Sequence, residues 1–523
     1  MATACLRHTE LPGTSKLFAD YLYRFDRVAH YYRYDPWDPA SYRSAAQALD
    51  YPAERRAALV EALAAQGNDR GALETLAQPD CVAIVTGQQV GLFSGPCYTI
   101  YKALTAIHLA AQLRETGIPA VPVFWLATED HDFEEINHAW TLPAAGQPVR
   151  HAVANPPPAT GTRPVGPIAI PRYPIEELRT ALDGLPFAGE VTSLVAEAYR
   201  DGASLGGAFR ALMERLLPGR GLLYVDPLEE PIRNLAAPLL QKAARRAPEL
   251  MDRVIERNLE LETAGYHAQV HAEAKTSPFF LLENGERIHL LRDGNRFDGM
   301  STEDLAARAG HLSPNAILRP VMQDYLLPTV ALIGGPAEIA YLAQSQVLYE
   351  GLERPAPVFV PRTGFTLLDS RASKIMARYR LSVPDFFEGI EPLRAKVAAR
   401  VTPPELEKTL SDTRASAESS VNRLQNALAA FDPTLAEALA KSRAKILYQL
   451  DKIRAKTERE ALRRDARAHD DVTGLECLLF HDRHLQERFY TILPFLARHG
   501  LDLIDRVDES VRLDCPDHIV LTV

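Results

Sequence analysis

The sequence predicts an α/β protein, an open parallel sheet with helices on its faces, followed by an α-helical antiparallel coiled-coil domain. Three observations carry this. A strand, glycine loop, helix and second strand follow one another between Cys81 and Thr128. A second strand–glycine loop–helix–strand unit lies between Thr329 and Val360. Apolar residues then repeat at spacings of four and three through residues 400–468, where charges fill the gaps. The first two patterns are βαβ units, whose strands run parallel; the third is heptad patterning.

Residues 1–80 read as a helical segment packing on the core. They hold an aromatic-rich stretch (Tyr21, Tyr23, Tyr31, Tyr32, Tyr34, Trp37, Tyr42) and a helix-forming run at 53–66. Cys81–Thr86 is a short apolar run entering a glycine loop, as expected of a strand buried on both faces. The loop Gly87–Pro96 leads into a helix over 97–115; Pro96 suits its first turn and Gly117 ends it. Val121–Thr128, Gly221–Asp226 and Pro357–Val360 read as further strands, and Arg287–Arg292 with the Asp-Gly-Asn turn after it as a hairpin. Residues 81–390 are thus expected to form the core, with insertions at about 140–220 and 260–320, and 469–523 to return to it. Thr402-Pro-Pro-Glu405 reads as a capping box opening the first arm of a helical hairpin over 391–468. An arm of some 28 residues would be roughly 40 Å long. It is expected to project from the body and pair with a second subunit as a homodimer, with an intramolecular helical domain as the alternative.

Composition narrows the function classes. At about 150 residues per domain, 523 residues correspond to three or four domains. With 58 basic and 68 acidic residues the net charge is −10, a poor match to non-specific nucleic-acid binding. Five cysteines without a CxxC pair read as reduced thiols in a cytoplasmic protein. The N-terminus lacks a signal-peptide run, and no stretch of about 18 apolar residues occurs, so no membrane span is expected.

In open parallel sheets ligands bind beyond the carboxyl ends of the strands. That rule selects three loops. The first holds Gly87, Gln88, Gln89, Gly91, Ser94 and Gly95, with Tyr98 and Lys102 one and two turns into its helix. Glycines admit close backbone approach, the helix N-terminus favours an anion, and the glutamines can hydrogen-bond a polar substrate. A plain tight turn is the alternative. The second, Glu129 to Glu135, packs five carboxylates and His131 into seven residues. A carboxylate there can hold an ammonium, and His131 can move a proton, with Asp130 or Asp132 orienting its ring. His131, Asp132 and His138 are conceivable metal ligands, but no cysteine pair or HExxH supports a metal site. The third holds Gly334, Gly335 and Glu338; Arg319 before it suits a carboxylate or phosphate. Lys374, after the last core strand, resembles the mobile lysine loop of class I adenylate-forming ligases. His267, His271 and His289 are left out as structural.

At these loops a family resemblance emerges. TGQQVGLFSGPCYTIYKA (86–103), PVFWLATEDHDFEEINH (122–138), RPVMQDYLLPTVALIGGPAEIAYLAQ (319–344) and FHDRHLQERFYTILPFLARHG (480–500) closely resemble the BshC family, the cysteine ligase of bacillithiol biosynthesis. Ser94 stands where threonine is expected, and Cys97 where an aliphatic residue is expected, so Cys97 is not treated as catalytic. The resemblance implies a Rossmann-like core with two connecting-peptide insertions and a coiled-coil dimerisation domain. It also implies amide formation between cysteine and glucosaminyl-malate. A free carboxylate does not form an amide efficiently, so ATP activation is expected, with Mg as the sole metal, accompanying the ATP. On this reading His131 is the base, and Glu129, Asp130 and Asp132 bind and orient the amine. The 87–96 loop, Asn137 and Arg319 bind substrate; Gly334, Gly335, Glu338 and Lys374 bind nucleotide. Two other readings stand beside it: a metal-assisted amidohydrolase using the 129–138 loop, and a nucleotide-sensing scaffold whose arms bind other proteins.

Overall fold

The computed structural model describes residues 3–144, 146–154 and 161–523, which divide into two compact units: residues 3–367 with 486–523, and residues 368–485. The second unit is wider than the expected 391–468 stretch.

A five-stranded parallel sheet organises the first unit: β1 (Val82–Gln88), β2 (Ala120–Leu126), β3 (Leu223–Val225), β4 (Thr329–Gly334) and β5 (Val358–Pro361), in the order β5-β4-β1-β2-β3. Alternate side chains of β1 go to opposite cores. Ala83 and Val85 join Val121, Val123 and Trp125 on one face, and Val82 and Ile84 join Ala106, Leu109 and Ala110 of helix α1 (Tyr98–Glu115) on the other. With both faces covered, the strand reads as an unbroken apolar run, because neither side meets water. β1 extends two residues past the expected end, to Gly87 and Gln88, which pair with Trp125 and Leu126. Gly87 is required there: a Cβ would stand 2.7 Å from the Trp125 carbonyl oxygen.

Strand order reverses between β1 and β4, so their carboxyl ends splay apart and leave the crevice in which such sheets bind ligands. Two helices flank it on the β4 side, α2 (Arg319–Leu326) and α3 (Pro336–Gly351). Between β2 and β3 lie the hairpin His138–Thr141/Val149–Ala152 and three helices, Ile175–Leu182, Ala188–Ala198 and Leu205–Leu216. Between β3 and β4 the long helices Glu230–Arg245 and Ala247–Thr263 precede a four-stranded antiparallel sheet that contains the Glu286–Asp293 strand. Thr3–Leu6, His518–Thr522 and Phe365–Leu368 form a separate three-stranded sheet that pairs the two ends of the chain.

The second unit is helical apart from its turns. Helix α4 (Pro404–Phe431) and helix α5 (Pro433–Arg464) form the two arms, separated by Asp432, whose carboxylate caps α5. Arg414 pairs with Asp451 at 2.8 Å, Glu418 with Arg443 and Glu407 with Arg454; the partner numbers fall as the first rise, so the arms are antiparallel. The expected capping box at Thr402 is absent. Thr402 ends the preceding helix Ile390–Val401, its hydroxyl donates back to Ala398 O, and Pro403 opens α4 without a side-chain cap. Leu424, Phe431, Leu435 and Ile453 remain exposed along the arms.

Candidate active site

A cleft of about 370 Å³ opens at the carboxyl ends of β1 and β4. β1 and α1 contribute Gly87, Gln88, Gln89, Tyr98 and Lys102; the turn after β2 contributes Asp130 and Glu135. α2 contributes Arg319 and Gln323, the end of β4 and the turn after it Gly334 and Gly335, and the start of α3 Glu338 and Tyr341. Arg362 and Arg488 close it. The glutamine turn and the acidic turn meet directly: Gln89 Nε2 donates to Asp130 Oδ2 at 2.8 Å and to Glu135 Oε2 at 2.8 Å.

Lys102, 2% exposed, pairs with Glu338 and donates to Gly87 O at 3.0 Å and Gln88 Oε1 at 2.9 Å. Burial pulls its pKa down while Glu338 opposes the shift. The ammonium's three donors are thus consumed in tying β1 to the start of α3, where Glu338 also accepts from Gly335 N–H at 2.7 Å. Burial alone would raise the Asp130 carboxyl, but the hydrogen bond from Gln89, the Arg287 charge and the His131 N–H outweigh it and hold it below the usual carboxylate range. Asp130 is therefore an anion in the cleft. The Tyr98 phenol is pushed up to about 12 by burial, so it keeps its proton.

Arg362 differs from Lys102. Both its terminal nitrogens bind the buried Glu487 carboxylate, Nη1 at 2.8 Å and Nη2 at 2.5 Å. Its Nε is buried and makes no hydrogen bond within the protein, and it lies 3.7 Å from where a Cβ on Gly335 would stand. One strong donor of this guanidinium is left for a ligand oxygen, a position that rewards an anion. Glu487 is held near 2, because burial, which raises it, is overcome by Arg362 and His518.

Several expected site residues do other work. His131 does not line the cleft. Its Nδ1 lies 3.0 Å from Arg287 Nη1, and a guanidinium only donates, so Nδ1 must be the acceptor and Nε2 the protonated nitrogen. Burial and Arg287 depress its pKa against Asp130 and Asp132. The ring's lone pair is thus already engaged by Arg287. Asp132 does not orient the ring; it accepts from Glu135 N–H at 3.2 Å and caps the short helix Phe133–Ile136. Glu129, buried, pairs with Arg233 at 2.9 Å and accepts from Ser313 Oγ at 3.1 Å, so it anchors the second insertion. Asn137 donates to Glu134 Oε2 at 3.2 Å, outside the cleft.

Gly91, Ser94 and Gly95 turn inward. Phe93, Ser94 and Gly95 have φ of 55°, 71° and 66°, three consecutive left-handed residues. The Tyr199 hydroxyl clamps them, donating to Gly91 O at 3.2 Å and accepting from Ser94 N–H at 3.3 Å. This stretch is a buried buttress under α1 and does not line the cleft. Lys374 belongs to the helical unit, in a separate concavity with Ser370, Arg371, Arg378, Arg467 and Asp470. His131, Asp132 and His138 do not gather into a ligand set; among the described residues, such a set occurs at Glu476, Cys477 and His481.

Arg362, Arg488, Gln323 and Tyr341 escaped the reading of loops. Arg362 was within reach of the same rule, since it follows the carboxyl end of β5. Arg488 lies in the 480–500 motif but arrives in the cleft from far along the chain, and its neighbour Glu487 holds Arg362.

Comparison with known proteins matches this architecture twice. The model described as bacillithiol biosynthesis BshC, N-terminal Rossmann-like domain, covers residues 1–363, and the model of the BshC C-terminal coiled-coil domain covers 365–523. The chain belongs to the BshC family. Relatives bearing the name "Putative cysteine ligase BshC" include one from Solibacter usitatus, 52% identical over the whole of both chains. One from Koribacter versatilis is 34% identical over the whole of both chains, and one from Salinibacter ruber is 33% identical over 97% of this chain and 96% of its own. The fold of the BshC family is thus a Rossmann-like core followed by a coiled coil, and the chain is a ligase of bacillithiol biosynthesis. Among the described residues no helix is long and apolar enough to cross a membrane.

Proposed function

We propose that this chain joins cysteine to glucosaminyl-malate through an amide bond, the last step of bacillithiol biosynthesis, with ATP activating the cysteine carboxyl group. Its membership of the BshC family supports the reaction class. The observation that carries the substrate reading is the cleft's charge pattern. Arg319, Arg488 and the spare Arg362 Nε form a cationic wall suited to the two malate carboxylates, and the Asp130 carboxylate lies among the residues at the same opening. At about 370 Å³ the cleft is at the small end of ligand sites, which run about 300–1,000 Å³, and suits one compact polar substrate.

In the proposed step the glucosamine nitrogen, as a free amine, attacks the activated cysteine carbonyl carbon. The carbon–nitrogen bond forms, the activating group leaves with its electron pair, and the nitrogen sheds one proton. We assign acceptance of that proton to Asp130, which lines the opening, in place of His131, which does not. Gln89 holds Asp130 from behind, and Lys102 fixes Gln88 and the start of α3 so that the anion-binding wall keeps its shape. ATP binding and any accompanying Mg are part of the proposal, as are a cytoplasmic location and a homodimer formed through the exposed leucines of α4 and α5.

The test is incubation of the purified protein with cysteine, glucosaminyl-malate and ATP, followed by mass spectrometry. Bacillithiol is expected only in the complete mixture. Absence of product with all three present overturns the ligase reading, and equal product without ATP overturns the activation step.

A further inference from the structure

The end of helix α6 (Ala466–Leu479) and the turn after it bring three metal-ligating side chains of different chemistry to one point. Glu476 Oε2 lies 3.7 Å from Cys477 Sγ and 3.7 Å from His481 Nδ1. All three ligand atoms lie within 4.8 Å of one another. Tetrahedral zinc has Zn–S of about 2.3 Å and Zn–N and Zn–O of about 2.0–2.2 Å, which sets sulfur–oxygen edges at roughly 3.6 Å and nitrogen–oxygen edges at roughly 3.4 Å. Two edges of such a tetrahedron therefore stand within a few tenths of an ångström of the length a bound ion would impose.

The local backbone explains the convergence. Residues 476 and 477 diverge around a helix, but the long glutamate side chain reaches back across that angle. His481 arrives because the chain leaves α6 at Phe480, whose φ of −151° and ψ of 56° break the helix, and enters the short turn His481–Arg483. Asp482 Oδ2 lies 3.8 Å from His481 Nε2, on the far side of the ring. In the metal-bound state a carboxylate on that side of the ring is the usual outer partner of the imidazole; at 3.8 Å it is here an ion-pair neighbour, beyond hydrogen-bond reach. Cys477 is 2% exposed, whereas the Glu476 and His481 side chains keep 26% and 21% of their surface. The sulfur is thus sheltered from oxidants while one side of the group stays open to an ion and a water.

We propose that Glu476, Cys477 and His481 form a divalent transition-metal site that takes Zn²⁺, with water in the fourth position. One sulfur, one nitrogen and one oxygen donor in a tetrahedral arrangement suit zinc, while magnesium and calcium prefer all-oxygen cages. The sulfur binds as thiolate, its proton passing to solvent. The ion joins the last turn of α6 to the segment that follows. This site lies outside the cleft residues and does not depend on the ligase reading.

The test uses the full-length protein, stripped with a chelator and dialysed, then titrated with ZnCl₂ against a chromophoric chelator and separately with CoCl₂. One equivalent of Zn²⁺ is expected, and the Co²⁺ form should show a thiolate-to-metal charge-transfer band in the near ultraviolet. Cys477→Ser should abolish that band and weaken Zn²⁺ binding by about 100-fold or more, and Asp482→Asn should weaken it by about 10- to 100-fold. His481→Gln, at a partly exposed position, provides a second variant whose fold is checked by circular dichroism; it should weaken Zn²⁺ binding as strongly while keeping the sulfur signal. Absence of stoichiometric Zn²⁺ binding overturns the site. So does binding that survives both ligand substitutions unchanged, which places the ion on other groups such as Cys5 or Cys515, or a Co²⁺ spectrum without the thiolate band, which places it on groups other than cysteine.

Discussion

The turns that follow β1 and β4 look alike as strings of residues. Each leaves a parallel strand through glycine, and each feeds a long helix through proline. Their roles diverge. After β1, Gly87 and the two glutamines face the cleft, while the stretch from Gly91 to Gly95 is folded under α1 and clamped by Tyr199. After β4, Gly334, Gly335 and Glu338 all face the cleft, and Glu338 caps the helix while pairing with Lys102. The first turn is a buttress carrying two polar side chains, and the second is a wall. The difference arises from what packs against each turn and cannot be read from its own composition.

The sharpest way to break this comparison is alanine at the glycine in each turn. At Gly87 the new Cβ would stand 2.7 Å from a β2 carbonyl oxygen that cannot move without parting the sheet. Overpacking of this kind costs at least about 1–3 kcal/mol, and here the clash is with backbone, so Gly87→Ala should lose soluble protein or lower the melting temperature by many degrees. At Gly335 the Cβ would meet side-chain atoms and no backbone, Glu338 Oε2 at 3.3 Å and Arg362 Nε at 3.7 Å. Gly335→Ala should fold with a nearly unchanged melt and lose activity instead. Equal melting temperatures for the two variants would undo the contrast.

A second pair separates the acidic turn's anion from its histidine. Asp130→Asn should lower kcat by about 10²-fold or more if Asp130 takes the amine's proton. His131→Ala should cost well under tenfold, since its lone pair already serves Arg287. Rates in the opposite order would return the base role to His131.

On the β4 side, Asp324 in α2 is buried and accepts a hydrogen bond from Tyr349 of α3. Burial raises its pKa from 3.8 to about 7, against the hydrogen bonds that lower it. The folded state thus holds a proton that the unfolded state releases above about pH 4. The stability this confers is complete below the unfolded pKa and is lost as pH rises through about 7, with a ceiling of about 4 kcal/mol at 1.36 kcal/mol per pH unit. Asp324→Asn should remove that slope from denaturant melts between pH 4 and 7; an unchanged slope would assign it to other groups.

The smallest effect is expected at the buttress. Tyr199→Phe deletes the two hydrogen bonds that hold Gly91 and Ser94, each worth about 0.5–1.5 kcal/mol, and leaves the cleft side chains in place. It should lower the melting temperature slightly and leave KM unchanged. A large rise in KM would show that the buttress also shapes the site.

Much of this was legible along the chain because it is local. Apolar runs bounded by glycine define strands buried on both faces, and spacings of three and four define the helices. Parallel βαβ units place the ligand crevice at strand ends, so Gly87, Gln88, Gln89, Asp130, Arg319 and Gly335 could be named as neighbours of a cleft. Roles were less legible. Asp130 and His131 are adjacent, yet one lines the opening and the other turns toward Arg287, a strand residue 156 positions away. Glu129 looks like its acidic neighbours but is spent on Arg233.

By itself, then, the sequence determined the class of fold, the family, and the three turns that gather at the crevice, because periodicity and motif depend on residues a few positions apart. Only the tertiary structure decided which charges are spent and which are available. Lys102 is used up by Glu338 and the outer arms of Arg362 by Glu487, His131 and Asp130 share Arg287, and the Arg362 Nε makes no hydrogen bond within the protein. A charge's availability depends on the partner that reaches it first through space, and those partners come from strands and helices more than a hundred residues away.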